Sequence, residues 1–363
     1  MKVVPLCSVK YFLRFMPSDE LNEMPFLRNI GFIMTYRCQI ACPHCIIEAG
    51  PHRKEEMQID DALEWIQQIA SYRNGYIKVL SLTGGEPFYN IDKLKKIAAF
   101  GEKCGLLVSA VTNAFWATTE EEAVGVLREL ASIKMLAIST DAYHQISIPF
   151  ERVKNAVFAA KVCDVPYNIA VCTENENDTE YKEILKKLQE ITEMDTINTA
   201  VTFPAGRALK KLGTSKYMTT EEPPISACSA GSSPIVFPDG RVIACIGPVI
   251  DIATSHPLIL GNLRESSLSE ILDNAELNPI LHAIRIWGPK KLISMIKEAG
   301  LGHYLPKNYI KDSVCNACYN LMSNREIVEF LIQLSDDWEF KRKAAYARVF
   351  YLKETRMAEL CQL

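Results

Sequence analysis

Three cysteines stand close together early in the 363-residue chain, in Cys38-Gln39-Ile40-Ala41-Cys42-Pro43-His44-Cys45, spaced C-x3-C-x2-C. They follow a strand-like apolar run, Gly31 to Tyr36. Three thiolates on one loop can hold three irons of a four-iron–four-sulfur cluster, which usually takes four cysteines. The fourth iron would then be open, and an open metal position serves catalysis where a closed one serves structure. A structural zinc site or redox thiols are the alternatives, with His44, His52 or a distant cysteine as the missing ligand.

A second stretch able to meet a ligand is Gly84-Gly85-Glu86-Pro87. Two glycines let backbone approach a bound group with no Cβ in the way, and their amides could bind a carboxylate or position an amine. By itself the stretch reads equally well as a turn before a helix.

The elements that must place these residues alternate. Strand patterns run over 30–36, 77–82, 106–112, 135–140, 167–172 and 196–203, with helix patterns at about 59–73, 90–104, 119–132, 150–164 and 178–192. Six strands with intervening helices predict an α/β fold on a parallel sheet, either a partial barrel or a doubly wound sheet. Chemistry in such folds gathers at the C-terminal strand ends. Here those ends read Thr112-Asn113-Ala114, Ser139-Thr140-Asp141, Cys172-Thr173-Glu174 and Phe203-Pro204-Ala205-Gly206-Arg207. The second half opens with a polar segment ending in Pro223-Pro224, then a hairpin about Pro238-Asp239-Gly240, then mostly helix over 268–274, 276–300 and 324–355.

With 48% hydrophobic residues the chain can bury a large core, and a net charge of −4 argues against nucleic-acid binding by bulk electrostatics. No apolar run has the length of a membrane span, and no signal-peptide core is visible, so a cytoplasmic location is expected. Twelve cysteines in such a protein point to metal or catalysis before disulfides.

The C-x3-C-x2-C loop after the first strand and Gly-Gly-Glu-Pro after the second together resemble the radical S-adenosylmethionine (SAM) superfamily. The resemblance implies a partial (β/α)6 TIM-like barrel over 30–207, preceded by a lead-in at 1–29 that packs on it. Cys38, Cys42 and Cys45 would bind a 4Fe-4S cluster whose open iron is chelated by SAM. Gly84, Gly85, Glu86 and Pro87 would hold the methionine end. Cleavage of the sulfonium would yield a 5′-deoxyadenosyl radical that takes hydrogen from the substrate. It further implies that Asn113, Ser139 and Asp141 lie along the cofactor, with Ser139 and Asp141 at the ribose and Arg207 at the SAM carboxylate. An aromatic often stands where His44 precedes Cys45, so His44 is expected to pack over the adenine or the cluster. Flavodoxin or ferredoxin would be the electron donor.

Further on, Cys228, Cys245, Cys315 and Cys318 could close a second site. Their spacing about Gly240 resembles the SPASM and twitch extensions of radical SAM enzymes. No further cysteine follows Cys318 closely, which implies the twitch form: one auxiliary 4Fe-4S cluster in 208–325, then a C-terminal helix over 326–363. Zinc is the alternative there. Of the other five cysteines, Cys7, Cys104, Cys163 and Cys361 read as small apolar residues. Cys172, at an active strand end, is placed to donate hydrogen to a substrate radical.

The nearest resemblance is to twitch-containing epimerases of ribosomally made peptides, so a peptide substrate is expected. Those enzymes carry a donor cysteine beside a cluster ligand. Here Ile246-Gly247-Pro248 follows Cys245, leaving crosslinking and oxidation open beside epimerisation. A small-molecule dehydrogenase or epimerase, with Tyr143, His144 and Glu174 as candidate polar groups, is one alternative. A non-catalytic iron–sulfur or zinc protein is another.

Overall fold

The computed structural model describes residues 26–213, 215–354 and 357–359. Two compact units emerge, one built on Asn29–Tyr217 and the other on Met218–Ile235 with Arg241–Leu363. Cys7, Cys361 and the apolar residues of 1–25 lie outside the described residues.

The first unit carries six parallel strands, β1 (Asn29–Ile33), β2 (Val79–Thr83), β3 (Leu107–Thr112), β4 (Ile133–Ser139), β5 (Tyr167–Thr173) and β6 (Ile197–Val201). Each pairs with the next in chain order. A doubly wound sheet reverses its order at a switch point. The absence of any reversal among these six selects the barrel-like winding, and β6 stays an edge of the sheet. The crossovers are α1 (Ile59–Ser71), α2 (Ile91–Lys103), α3 (Glu120–Glu129), α4 (Ala142–Gln145) with α5 (Phe150–Val162), and α6 (Thr179–Gln189). Side-chain caps fix several of these starts. Asn90 accepts from the Lys93 amide and Thr119 from the Glu122 amide, so Asn90 caps the start of α2 and Thr119 that of α3.

The register assigns the two sheet faces. An ideal Cβ on Gly101 of α2 would lie 3.0 Å from Val108 and 3.2 Å from Leu80, so α2 presses on that face. The opposite, inner face then carries Gly31, Ser81, Ser109 and Met135 in one register row, Val111, Ala137 and Asn168 in the next, and Ser139, Ala170 and Asn198 beyond them. In a closed eight-stranded barrel this lumen is filled by Val, Ile and Leu. Here the inner face mixes small and polar side chains with Met135 and Val111, and Ser81 bonds to Ser109 at 2.9 Å. Ser139 and Cys172 share this inner face at the C-terminal strand ends.

The second unit pairs β9 (Arg241–Ile243) antiparallel with β10 (Ile259–Asn262) and β11 (Tyr309–Ile310) with β7 (Thr219–Thr220). The expected turn before β9 closes through the Gly240 amide on the Phe237 carbonyl, after the short strand β8 (Ile235–Val236). Six helices follow: α8 (Leu268–Leu277), α9 (Pro279–Trp287), α10 (Pro289–Glu298), α11 (Val314–Ser323), α12 (Arg325–Asp336) and α13 (Trp338–Leu352). The α7 turn (Arg207–Lys211) belongs to the first unit. Two single-helix expectations are corrected. Residues 276–300 break at Gly288, where φ is 74° and a Cβ would fall 1.9 Å from the Ser226 carbonyl oxygen. Residues 324–355 break at Asp337, whose side chain caps α13 through the Phe340 amide. The lead-in expected on the barrel also differs at its described end: Phe26 is fully buried against His282, ring centroids 4.8 Å apart.

No helix among the described residues is long and apolar enough to cross a membrane. Leu80 is fully buried in the centre of the parallel sheet. Leu80→Ala is expected to cost about 2–5 kcal/mol, read as a lower urea midpoint with unchanged slope.

Candidate functional site

The cysteine loop leaves β1 and folds into a small apolar cluster. Cys38 and Cys42 are buried with Ile40, Ala49 and Ile148, and Cys45, Ile47 and Phe115 pack against them. The Cys45 sulfur accepts from the Ala49 amide at 3.3 Å, and the Cys38 sulfur from Asn113 Nδ2 at 3.6 Å. Burial pushes the Cys38 thiol up to about 12 and raises Cys45 as well, with the neighbouring sulfurs adding to both shifts. Three converging buried sulfurs with N–H donors aimed at two of them are a donor set that a cation stabilises as thiolates. The donor set therefore fits an iron–sulfur cluster.

Three strand ends tie this loop down. From β2, the Gly85 and Glu86 amides donate to the carbonyls of Thr35 and Arg37, at 2.6 and 3.0 Å. A Cβ on Gly84 would lie 2.5 Å from the Thr35 oxygen, and one on Gly85 2.2 Å from that of Arg37. The glycines thus serve a close approach of the chain to itself. Of the two glycine amides expected to meet a ligand, that of Gly85 is bonded to the chain itself. Glu86 is fully buried, and its carboxylate accepts from the Phe88 and Asn113 amides at 3.0 and 2.8 Å. Pro87, also buried, begins a short 3-10 turn. From β3, the side-chain oxygen of Asn113 accepts from Gln39 Nε2 at 2.8 Å. Asn113 therefore positions the loop through Gln39 and Cys38.

The third tie comes from β6. Arg207 Nη1 donates to the Cys42 carbonyl at 2.8 Å, Nη2 to the Ala49 carbonyl at 2.6 Å, and its amide to the Cys45 carbonyl at 3.1 Å. Gly206, at φ 59°, could not carry a Cβ, which would lie 2.3 Å from the Ile46 oxygen. Two of the five guanidinium donors thus go to the loop's carbonyls. Sequence reasoning missed Gln39, Gly206 and Thr202; the Gly-Arg pair at a strand end was the signal available for the second.

Asp141 is buried and also engaged by the protein. One carboxylate oxygen caps α4 through the Tyr143 and His144 amides, each at 2.9 Å. The other lies 2.9 Å from His144 Nδ1 and 3.4 Å from His44 Nε2. Burial opposes its charge, but the two histidines outweigh burial and hold the carboxyl at about 2. The ribose contact expected of Asp141 meets a carboxylate already shared between these histidines. The His44 ring packs 4.9 Å from Tyr143 and 5.0 Å from His144. Tyr143 donates to Glu174 at 2.7 Å, and Thr202 bonds the other Glu174 oxygen. Cys172 brings its sulfur within 4.8 Å of ligand atoms of His44 and Asp141. Burial first, then the charges of Asp141 and Glu174, drive its thiol well above the ordinary range.

In the second unit Cys228, Cys245, Cys315 and Cys318 converge: each of the last three feels Cys228, and Cys318 feels the other three. Burial raises all four thiols, Cys245 to about 12. The Ala230 and Gly231 amides point at the Cys228 sulfur and the Gly247 amide at Cys245. Cys315 and Cys318 sit on the first turns of α11, whose start is capped by Ser313. Four buried sulfurs, none in a disulfide, fit a closed metal site. Cys104 and Cys163 stand apart as half-buried thiols.

Arg207→Met is expected to lower the melting temperature, each charge-assisted bond contributing about 1.5–3 kcal/mol, and to reduce iron retained after anaerobic reconstitution. Arg207→Lys restores neither, since one ammonium cannot span both carbonyls. Glu86 gives a pH signature. Burial raises its carboxyl from 4.5 to about 7, so its contribution to stability is full below pH 4.5 and declines as pH rises to about 7. Glu86→Gln should flatten that slope in urea titrations between pH 5 and 8 while lowering stability at pH 5, because the amide leaves one backbone N–H without an acceptor.

Two stretches of the chain match known domain families. Residues 32–188 match the radical SAM superfamily, and residues 228–319 match SPASM, an iron–sulfur cluster-binding domain. A Bacillus subtilis (strain 168) protein described as "Putative peptide biosynthesis protein YydG" is 21% identical over 310 residues, 84% of this chain and 94% of that one. The solved structure of BtrN in complex with AdoMet and 2-DOIA is 12% identical, covering 81% of this chain and 92% of that chain, with a TM-score of 0.39. A radical SAM domain works with a 4Fe-4S cluster and SAM, and a SPASM domain binds auxiliary iron–sulfur clusters. The chain therefore carries a radical SAM domain followed by a SPASM-type iron–sulfur cluster-binding domain.

Proposed function

We propose that this enzyme modifies a residue of a ribosomally made peptide, with Cys38, Cys42 and Cys45 holding the SAM-binding cluster. Cys228, Cys245, Cys315 and Cys318 hold one fully ligated auxiliary cluster. The observation that carries the reaction class is the convergence of three thiols in one apolar cluster on the loop that leaves β1. The peptide substrate is supported by the long alignment with the B. subtilis peptide biosynthesis protein. The chemistry supplied by the bound cofactors is one-electron cleavage of the SAM sulfonium and hydrogen abstraction by the adenosyl radical; a flavodoxin or ferredoxin provides the electron.

The chain's own residues divide the remaining work. Arg207, Asn113 and Glu86 fix the cysteine loop, and Gly84 and Gly85 bring its flank against β2. Since the Gly85 and Glu86 amides are used, residues 84–87 meet the methionine end through other backbone atoms. Ser139, on the inner face, meets the ribose. Asp141 orients His44 and His144 around the cysteine loop. Cys172 is a hydrogen donor to the substrate radical. It lies on the same inner face, and burial keeps its thiol protonated at neutral pH, as a donor of S–H hydrogen must be.

Anaerobic reconstitution should give about eight irons per chain and SAM-dependent release of 5′-deoxyadenosine. The triple variant Cys38→Ala/Cys42→Ala/Cys45→Ala should keep about half that iron and lose all SAM cleavage. Zinc retention without SAM cleavage by the wild type would refute the reading. Incubation with a precursor peptide encoded nearby distinguishes reactions by mass. Zero shift with one solvent deuteron means epimerisation, whereas loss of two hydrogens means crosslinking or oxidation. Cys172→Ala should abolish that deuterium uptake while leaving SAM cleavage in place, and unchanged uptake would remove Cys172 from the pathway.

A further inference from the structure

The second unit buries a charge group that the reaction does not use. Arg285 on α9 bonds Glu354 at 2.7 Å, and Glu354 also meets Arg348 of α13 at 2.5 Å. Arg348 in turn meets Glu276 at 3.2 Å. All four side chains are at most 6% exposed. His282 adds no charge: burial and the two arginines hold its pKa well below the ordinary value, and it accepts from Arg285 at Nδ1. Two cations therefore face two anions, and the group is neutral as a whole.

Arg285 connects this group to the auxiliary thiols. Its Nε donates to Ser232 Oγ at 2.9 Å, in the 3-10 turn Ser229–Ser232 that follows Cys228. An ideal Cβ on Gly231 would lie 3.2 Å from Arg285 Cγ, so the stem packs directly beneath that turn. The Cys228 amide donates to the carbonyl of Ile284, the neighbour of Arg285, at 3.1 Å. The Arg285 charge acts on the Cys228 sulfur. Glu354, which neutralises that charge, lies just past the C-terminus of α13, after Lys353 in a left-handed cap.

We infer that Arg285 is a positioning and charge-setting residue for the auxiliary cluster, and that Glu354 sets its reduction potential by neutralising Arg285. The inference rests on the reading of Cys228, Cys245, Cys315 and Cys318 as cluster ligands. Reduction adds one negative charge to a cluster, so a buried cation nearby favours the reduced state and a buried anion disfavours it. Glu354→Gln leaves the group with one excess positive charge, and Arg285→Gln with one excess negative charge.

The test is an EPR-monitored redox titration in the Cys38→Ala/Cys42→Ala/Cys45→Ala background, where the auxiliary cluster is the sole signal. Glu354→Gln should shift the midpoint to higher potential and Arg285→Gln to lower. The Arg285→Gln/Glu354→Gln double variant should return close to the starting value. Arg285→Lys, which keeps the charge, should move it little. Where Glu354→Gln fails to fold, Glu354→Asp withdraws the same charge by one methylene and should shift the potential upward by less. A purely structural role would lower the melting temperature of both single variants without moving their potentials in opposite directions. A cluster present in every variant at one common potential overturns the inference alone. A background variant that binds no four-iron cluster overturns the ligand reading and the inference with it.

Discussion

The first unit depends on a bidentate clamp: the Arg207 guanidinium across the carbonyls of Cys42 and Ala49. A loop that turns three sulfurs toward one point cannot also satisfy its own backbone as helix or strand. Its carbonyls turn outward and need donors, and a buried polar group left without one is costly. Arg207 supplies two donors in a fixed planar fork from the far edge of the sheet, where a lysine would supply a point charge. The rest follows from that geometry. Gly206 must be glycine for the clamp to reach, and β6 must end where it does for Gly206 to meet Ile46.

The other ties share this logic of spending polar groups on position. Glu86 is a carboxylate with no exposed surface, yet it joins β2 and β3 through two backbone amides at the point where Asn113 reaches the cysteine loop. Asp141 caps a one-turn helix with one oxygen and sits between two histidines with the other. Residues that look like ligand contacts by type here also bond the protein's own backbone. This leaves the inner barrel face, with Ser139 and Cys172 at its rim, as the surface that a cofactor and substrate can share.

The second unit solves a related problem with different means. Its four sulfurs come from a turn, a hairpin end and one helix, so no single loop can hold them. Caps and turns fix each separately: Ser313 starts α11, and Gly288 stops α9 so that Ser226 can approach. A neutral group of four buried charged side chains locks the helices behind them. Such a group is weak evidence for stability, since buried ion pairs give back most of their attraction as desolvation. Its closeness to Cys228 makes charge the more informative property.

The sequence alone determined the chemistry and the class of scaffold. Cysteine spacing is local, and so is the alternation of strand and helix, because both are set within a few residues by loop length and side-chain period. The six strands and five main crossover helices lie within a few residues of their expected places. Tertiary structure decided which side chains were already taken. Arg207 meets Cys42 across 165 positions of sequence and Asn113 meets Cys38 across 75, and no local pattern encodes such pairings. It also decided between barrel and doubly wound sheet, a question of strand order that element types leave open. A residue's chemistry is thus written in its type, but whether that chemistry is free for a ligand depends on the partner that folding brings to it.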